Sequence, residues 1–358
     1  MKKIILYLIF FILLGSCINP SANKEDGFIV KDILDRKVLI PNQVNTVIGL
    51  RAGALRLLLY CGAREMITGI EELEKRPGRP YADAFPELKK LPVIGPPMGG
   101  DPELILKIKP DVIFITYSTV QDADALQKKT GIPVIAIECS EFATEKEKLF
   151  RSFRLIGSII HKEERVDSLI NYISVSINDL HERTNNIPVE KKPKGYIGGV
   201  PYSGSFGIIS TQPYYPPFIF TNSINVASSI DQKLVSHVKG TFIDKEQLMQ
   251  WNPDYLFIDQ SGFEIVKKDL SAGSALAENL VAVKNNNMYT LYPYNNYATN
   301  YEMVLVNSWY VASVLYPDEF KDVDFFLKAS EIITVFFGFN SKFAFHTDIF
   351  KRINSLND

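Results

Sequence analysis

The sequence predicts two similar α/β lobes joined by a rigid helical spine, and three observations predict it. The stretch DPELILKIKPDVIFI, residues 101–115, is echoed without a gap as DKEQLMQWNPDYLFI, residues 244–258, at an offset of 143. Short apolar runs rich in β-formers alternate with helical stretches around each copy. Between the copies lies a long amphipathic segment, residues 144–185.

In each copy an acidic residue opens a stretch with apolar positions at helical spacing: Leu104, Ile105 and Ile108, then Leu248, Met249 and Trp251. Pro110 and Pro253 stop it, because proline cannot continue the ladder. DVIFI and DYLFI follow as continuous apolar runs, the pattern of strands buried on both faces of a parallel sheet. NTVIGL, MITGIEE, KKLPVIG, DVIFITY and IPVIAIEC are the strand candidates of the first lobe; PKGYIGGV, DYLFIDQ and NNNMYTLYP are those of the second. Alternating strands and helices imply right-handed crossovers, with ligands bound beyond the carboxyl ends of the strands.

The intervening segment has apolar residues at 149, 153, 156 and 160, and again at 166, 169, 170, 173, 177 and 180. Both sets fit one helical face, with a break near His161. The second helix, from Glu163 to about Arg183, spans about 32 Å at 1.5 Å per residue.

The 358 residues, 46% hydrophobic and 22% charged, suffice for two cores of ordinary size. MKKIILYLIFFILLGSC opens the chain as a secretory signal, too short and one-sided for a stable membrane span. LLGS before Cys17 resembles a bacterial lipobox, which would lipidate that cysteine and make it the first mature residue. Cleavage removes two of the 39 basic residues and none of the 41 acidic ones, lowering the formal charge from −2 to −4 and arguing against nucleic acid as a partner. Cys61 and Cys139 then remain, both in packed contexts that favour free thiols. His161, His181, His237 and His346 are scattered and form no metal-ligand spacing. No nucleophile elbow, P-loop, zincin or dinucleotide motif occurs.

The lipoprotein signal, the two lobes, the helical spine, LPVIG before PELILKIKPDVIFI, and PDYLFI in the second lobe resemble the substrate-binding proteins of ABC importers for iron-siderophore complexes, haem and vitamin B12. GALRLLLYCGA, EKRPGRPYA, LYPYNNYATNYE and VLYPDEFKDVD resemble one branch of that family, usually described as iron-complex binding. The resemblance covers about residues 28–338. It implies a class III periplasmic binding protein: two Rossmann-like α/β lobes, with residues 1–16 as signal peptide, 17–27 as tether, 28–143 as the N-terminal lobe, 144–185 as linking helices and 186–358 as the C-terminal lobe. It also implies an extracytoplasmic, lipid-anchored monomer with no chemistry and no resident cofactor of its own. Its partners would be ABC permease and ATPase subunits, which it would supply with a metal chelate.

The loops after the strands nominate the ligand contacts: Arg51, Glu71 with Glu72, Tyr117, Tyr202, Ser203, Ser261, and the run YPYNNYATNY from Tyr292 to Tyr301, represented by Tyr294, Asn295, Tyr297 and Asn300. Tyrosines offer flat apolar faces with a polar edge, suited to a chelate or macrocycle, and asparagines supply uncharged donors and acceptors. Arg51, before the helical AGALRLLLY with its free N–H groups, suits an anionic ligand. Arg76 and Arg79 are weaker candidates in a proline-rich loop. The resemblance further implies one acidic docking residue per lobe, Glu87 in FPELKKLPVIG and, by a looser match, Asp231 in SSIDQKL. A molybdate- or tungstate-type oxyanion receptor is the alternative within transport. A chelate-processing enzyme is the alternative outside it, and would need a titratable pair that Glu71 and Glu72 alone do not provide.

Overall fold

The computed structural model describes residues 27–235, 240–338 and 347–353; Cys17, His237 and His346 lie outside them. The first lobe begins with an antiparallel hairpin, β1 (Gly27–Lys31) and β2 (Lys37–Pro41). Its main sheet is wholly parallel, built from β3 (Val47–Leu50), β4 (Ile67–Gly69), β5 (Val112–Ile115) and β6 (Val134–Ala136) in the order β4-β3-β5-β6. Around it lie α1 (Ala54–Tyr60), α2 (Pro80–Ala84), α3 (Pro102–Ile108) and α4 (Val120–Thr130). The spine is α5 (Lys146–Ile160) and α6 (Glu163–Asn185).

The second lobe contains β7 (Lys194–Gly198), β8 (Ser210–Thr211), α7 (Pro216–Phe220), β9 (Ile224–Asn225), β10 (Thr241–Phe242), α8 (Lys245–Trp251) and β11 (Tyr255–Asp259). It continues through α9 (Phe263–Asp269), α10 (Ala275–Asn279), α11 (Val281–Lys284), β12 (Met288–Leu291), α12 (Tyr301–Leu315) and α13 (Phe325–Phe337). Its parallel sheet runs β12-β11-β7-β9, the same permutation as in the first lobe, with the repeated strand (β5 or β11) in the same place. Strands β8 and β10 form a small antiparallel pair.

The repeat is structural to the level of single hydrogen bonds. Asp101 caps α3 by accepting from the Glu103 and Leu104 N–H groups, and Asp244 caps α8 by accepting from Gln247. Lys109 (φ 53°) and Asn252 (φ 43°) end the two helices in the left-handed conformation, one residue before each proline. The aspartate after each proline pins the neighbouring strand: Asp111 accepts from Asn45 and Thr46 N–H at 2.8 Å, and Asp254 from Lys194 N–H at 3.0 Å.

Among the strand candidates, KKLPVIG is not a strand; it adds only a single bridge from Val93 to Ile70. Pro92 lacks the N–H that a ladder needs, so pairing stops there.

The predicted spine faces are the observed ones. Leu149, Phe153, Ile156 and Ile160 of α5, and Val166, Leu169, Ile170, Ile173, Ile177 and Leu180 of α6, are all buried, with His161 in the left-handed conformation (φ 54°) between the helices. One apolar cluster runs from the first lobe through the spine into α12, which is buried nearly all round. Helix α13 returns to the first lobe: Phe336 and Phe337 pack on Tyr60 with ring centroids at 4.9 and 5.9 Å, and Arg165 of α6 donates to the Val335 and Phe336 carbonyls. The lobes therefore share a packed back wall, which opposes the free hinge opening of a two-strand linker. Cys61 and Cys139 are free thiols. Among the described residues no helix is long and apolar enough to cross a membrane.

Candidate functional site

Loops that follow the parallel strands, after β4 in the first lobe and after β7, β11 and β12 in the second, together line an open cavity of about 380 Å³. Gly78 contributes the first lobe's side; Pro201, Gly204, Ser205, Gln260, Ser261, Tyr292, Pro293, Asn295 and Asn296 contribute the second's, with Ile349 at the edge. Every polar side chain in this lining is an amide or a hydroxyl. Such walls donate and accept hydrogen bonds without imposing a charge. Of the residues nominated from sequence, Ser261 and, from the Tyr292–Tyr301 run, Tyr292, Pro293, Asn295 and Asn296 line this cavity.

Arg51 does not stand free. It sits at φ 69°, its guanidinium donates to the Tyr117 carbonyl at 2.6 Å, and it pairs with Asp122 at 3.4 Å. The expected anion-binding arginine is thus engaged within its own lobe, where α4 brings Asp122 beside it. Glu71 is buried rather than facing a ligand: it accepts from the Arg51 N–H (3.1 Å), the Gly99 N–H (3.0 Å) and the Tyr297 hydroxyl (2.7 Å). A carboxylate that satisfies two loop N–H groups organises the rim instead of presenting its charge. Glu72 is exposed. Tyr117 (φ 47°), in the loop after β5, has an exposed ring. Tyr202 is half-buried and donates to the Thr211 carbonyl at 2.6 Å, with Ser203 exposed beside it. Arg76 is exposed, whereas Arg79 is buried, donates to the Leu73 and Arg76 carbonyls, and lies over the Tyr297 ring.

The tyrosine and asparagine run has a different use from the expected aromatic wall. Tyr294 is buried, stacked on Tyr215 at 5.9 Å, with its hydroxyl donating to the Gln212 amide oxygen. Asn300 is fully buried and closes the loop on itself, its backbone and side-chain N–H groups donating to the Tyr294 carbonyl at 2.8 and 3.0 Å. Tyr301 donates across to the Ser140 carbonyl at 2.9 Å, and the Asn296 side chain to the Gly78 carbonyl at 2.9 Å. The run is a clasp between the lobes, and most of its rings are consumed in packing.

The residue that holds this clasp was not singled out from sequence. Arg56, fully buried in α1, donates to the Thr299, Asn296 and Tyr297 carbonyls at 2.7, 2.9 and 3.0 Å. A signal existed: an arginine amid the leucines of ALRLLLY must find acceptors inside the core. One turn on, the Tyr60 hydroxyl donates to Glu302 of α12. Tyr81 donates to Glu74 at 2.5 Å, and its ring lies 4.8 Å from the Arg56 guanidinium.

Burial lifts the Glu302 carboxyl from its usual value near 4.5 to about 7, against the pull of Arg56 and the Tyr60 hydrogen bond. Such a carboxyl holds its proton in the fold where the unfolded chain has lost it. Its stabilising contribution is full below about 4.5 and is lost as pH rises toward 7. Burial lifts Asp259 to about 7 as well. The thermal midpoint of Glu302→Gln should accordingly decline less steeply between these pH values than that of the wild type; equal slopes would show that Glu302 does not titrate there.

Glu87 lies on a surface turn, ion-paired with Arg64, and the exposed Asp231 accepts from the Lys233 N–H at 2.9 Å. Among the described residues no group of three or more His, Cys, Asp or Glu side chains could hold a metal ion.

Comparison with known proteins gives a consistent fold. The family model described as periplasmic binding protein matches residues 47–294. The molybdate-binding protein MolA of Haemophilus influenzae is 24% identical over 320 residues, covering 83% of this chain and 87% of that protein. Its molybdate-bound structure superposes with a TM-score of 0.66 at 23% identity, covering 87% of this chain and 98% of that one. The petrobactin-binding protein YclQ of Bacillus subtilis is 22% identical over 304 residues, covering 81% of this chain and 91% of that protein. A periplasmic solute binding protein from Veillonella parvula superposes with a TM-score of 0.69 at 19% identity, covering 92% of this chain and 98% of that one.

Proposed function

The chain belongs to the periplasmic binding protein family, and on that premise we propose that it is the substrate-binding component of an ABC importer, capturing a compact metal-centred ligand between its lobes and delivering it to a permease and its ATPase. The family consists of solute-binding proteins, not enzymes. The observation that carries the proposal is the cavity of about 380 Å³ beyond the strand ends, whose polar side chains are all amides or hydroxyls. Its size falls in the ordinary range of ligand pockets, toward the small end. The protein would act as a monomer outside the cytoplasm, tethered through a lipid on Cys17.

A molybdate-type oxyanion fits such walls, because neutral donors bind an anion without a competing counter-charge. Similarity to a molybdate-binding protein supports this reading. An iron complex, the ligand suggested by the family resemblance, is the second reading. Similarity to a petrobactin-binding protein and the exposed ring of Tyr117 in the loop after β5 support it. Calorimetric titration of the purified chain with sodium molybdate, and separately with a ferric catecholate chelate, tests both. Saturable one-to-one binding of molybdate with no heat from the chelate is the expected result. Binding of the chelate alone would replace the oxyanion, and binding of neither would overturn the proposal.

A further inference from the structure

We propose that Arg56 is a positioning residue for ligand capture, acting through the 295–300 loop that it holds without reaching the cavity itself. The inference rests on the cavity between the lobes being the ligand site. The guanidinium belongs to the first lobe, and its three carbonyl acceptors belong to a loop more than 200 residues downstream. That loop carries two consecutive non-glycine residues in the left-handed conformation, Tyr297 (φ 51°) and Ala298 (φ 67°). Such a conformation persists only where its surroundings enforce it. The left-handed pair turns the 296, 297 and 299 carbonyls toward one point, and a planar multi-donor cation fills that point as a lysine ammonium cannot. The Tyr81 ring against the guanidinium limits its rotation. Asn295 and Asn296 line the cavity; Asn296 carries one of the held carbonyls, and its side chain also bonds Gly78 on the opposite wall. Arg56 thus sets the position of one cavity wall relative to the other before any ligand arrives, and the ligand is spared the entropy of ordering that loop.

Two variants of the full chain test this. Arg56→Lys keeps the buried charge and loses the fork. Gly53→Ala leaves Arg56 intact and wedges the same loop, since a Cβ there would lie 3.1 Å from the Ala298 Cβ and 2.6 Å from the Cys139 Sγ, at φ +85°. Hydrogen exchange of the ligand-free proteins should rise in the 292–301 segment while the sheets keep wild-type protection. The dissociation constant for sodium molybdate should rise roughly tenfold to a hundredfold, as expected for losing hydrogen bonds from a charged donor. A folded Arg56→Lys protein with wild-type exchange in that segment overturns the proposal, as does uniform loosening with unchanged affinity. Wild-type protein that takes no molybdate refutes the oxyanion reading instead, and the exchange data then decide the role of Arg56 alone. Should Arg56→Lys fail to fold, Arg56→Gln, which keeps a planar donor group without the full fork, decides by the same two measurements.

Discussion

Tyr294→Ala is expected to destabilise the folded chain by about 3–5 kcal/mol, the usual cost of deleting a buried aromatic ring. Tyr294 stacks on Tyr215, Tyr215 meets Phe218 edge-on at 5.1 Å, and Phe218 meets Phe257 of β11 at 5.7 Å. The ring therefore anchors the clasp loop to the second lobe's sheet through an unbroken aromatic path. Its loss leaves a cavity and strands the Gln212 amide oxygen. Tyr294→Phe keeps the stack and should cost about 1 kcal/mol, the net worth of one hydrogen bond. Denaturant unfolding measures both. Wild-type stability of the alanine variant, with weakened ligand binding, would instead place the ring against the ligand.

The second large effect concerns delivery. Reversing Glu87 and Asp231 together to lysine is expected to abolish ligand uptake by cells while the affinity of the purified protein stays unchanged. Neither residue lines the cavity, and there is one in each lobe. Two acidic points on similar lobes suit a pseudo-symmetric basic permease face, where charge governs encounter and register. Glu87 already pairs with Arg64, so Glu87→Lys also places two cations side by side on the first lobe. Uptake that persists in the double variant would locate docking elsewhere.

The contrast between the repeat and the clasp shows which kinds of fact a sequence records. DPELILKIKPDVIFI carries its own N-cap, its own stop and its own apolar strand, and each acts on residues within a few positions. YPYNNYATNY carries only residue types. Whether a tyrosine faces a ligand or a neighbouring ring depends on what lies opposite it, and here Tyr215, Glu71 and Arg56 lie opposite. Arg51 and Glu71 were nominated as ligand contacts because strand ends point there, and both occupy those loops. Their partners, Asp122 of α4 and the loop residues Gly99 and Tyr297, come from elsewhere in the chain, so no local pattern shows that their hydrogen-bonding capacity is already engaged.

By itself the sequence determined the two lobes, the twin parallel sheets and the buried faces of the spine. All of these follow from periodicity and capping, which are properties of contiguous residues. Only the tertiary structure decided that α13 returns to brace the first lobe, that Arg56 holds the loop before α12, and that the polar side chains lining the cavity are amides and hydroxyls. The first two join residues at least 170 positions apart. Their energies come from burial and from converging acceptors, which exist only once the chain has closed on itself.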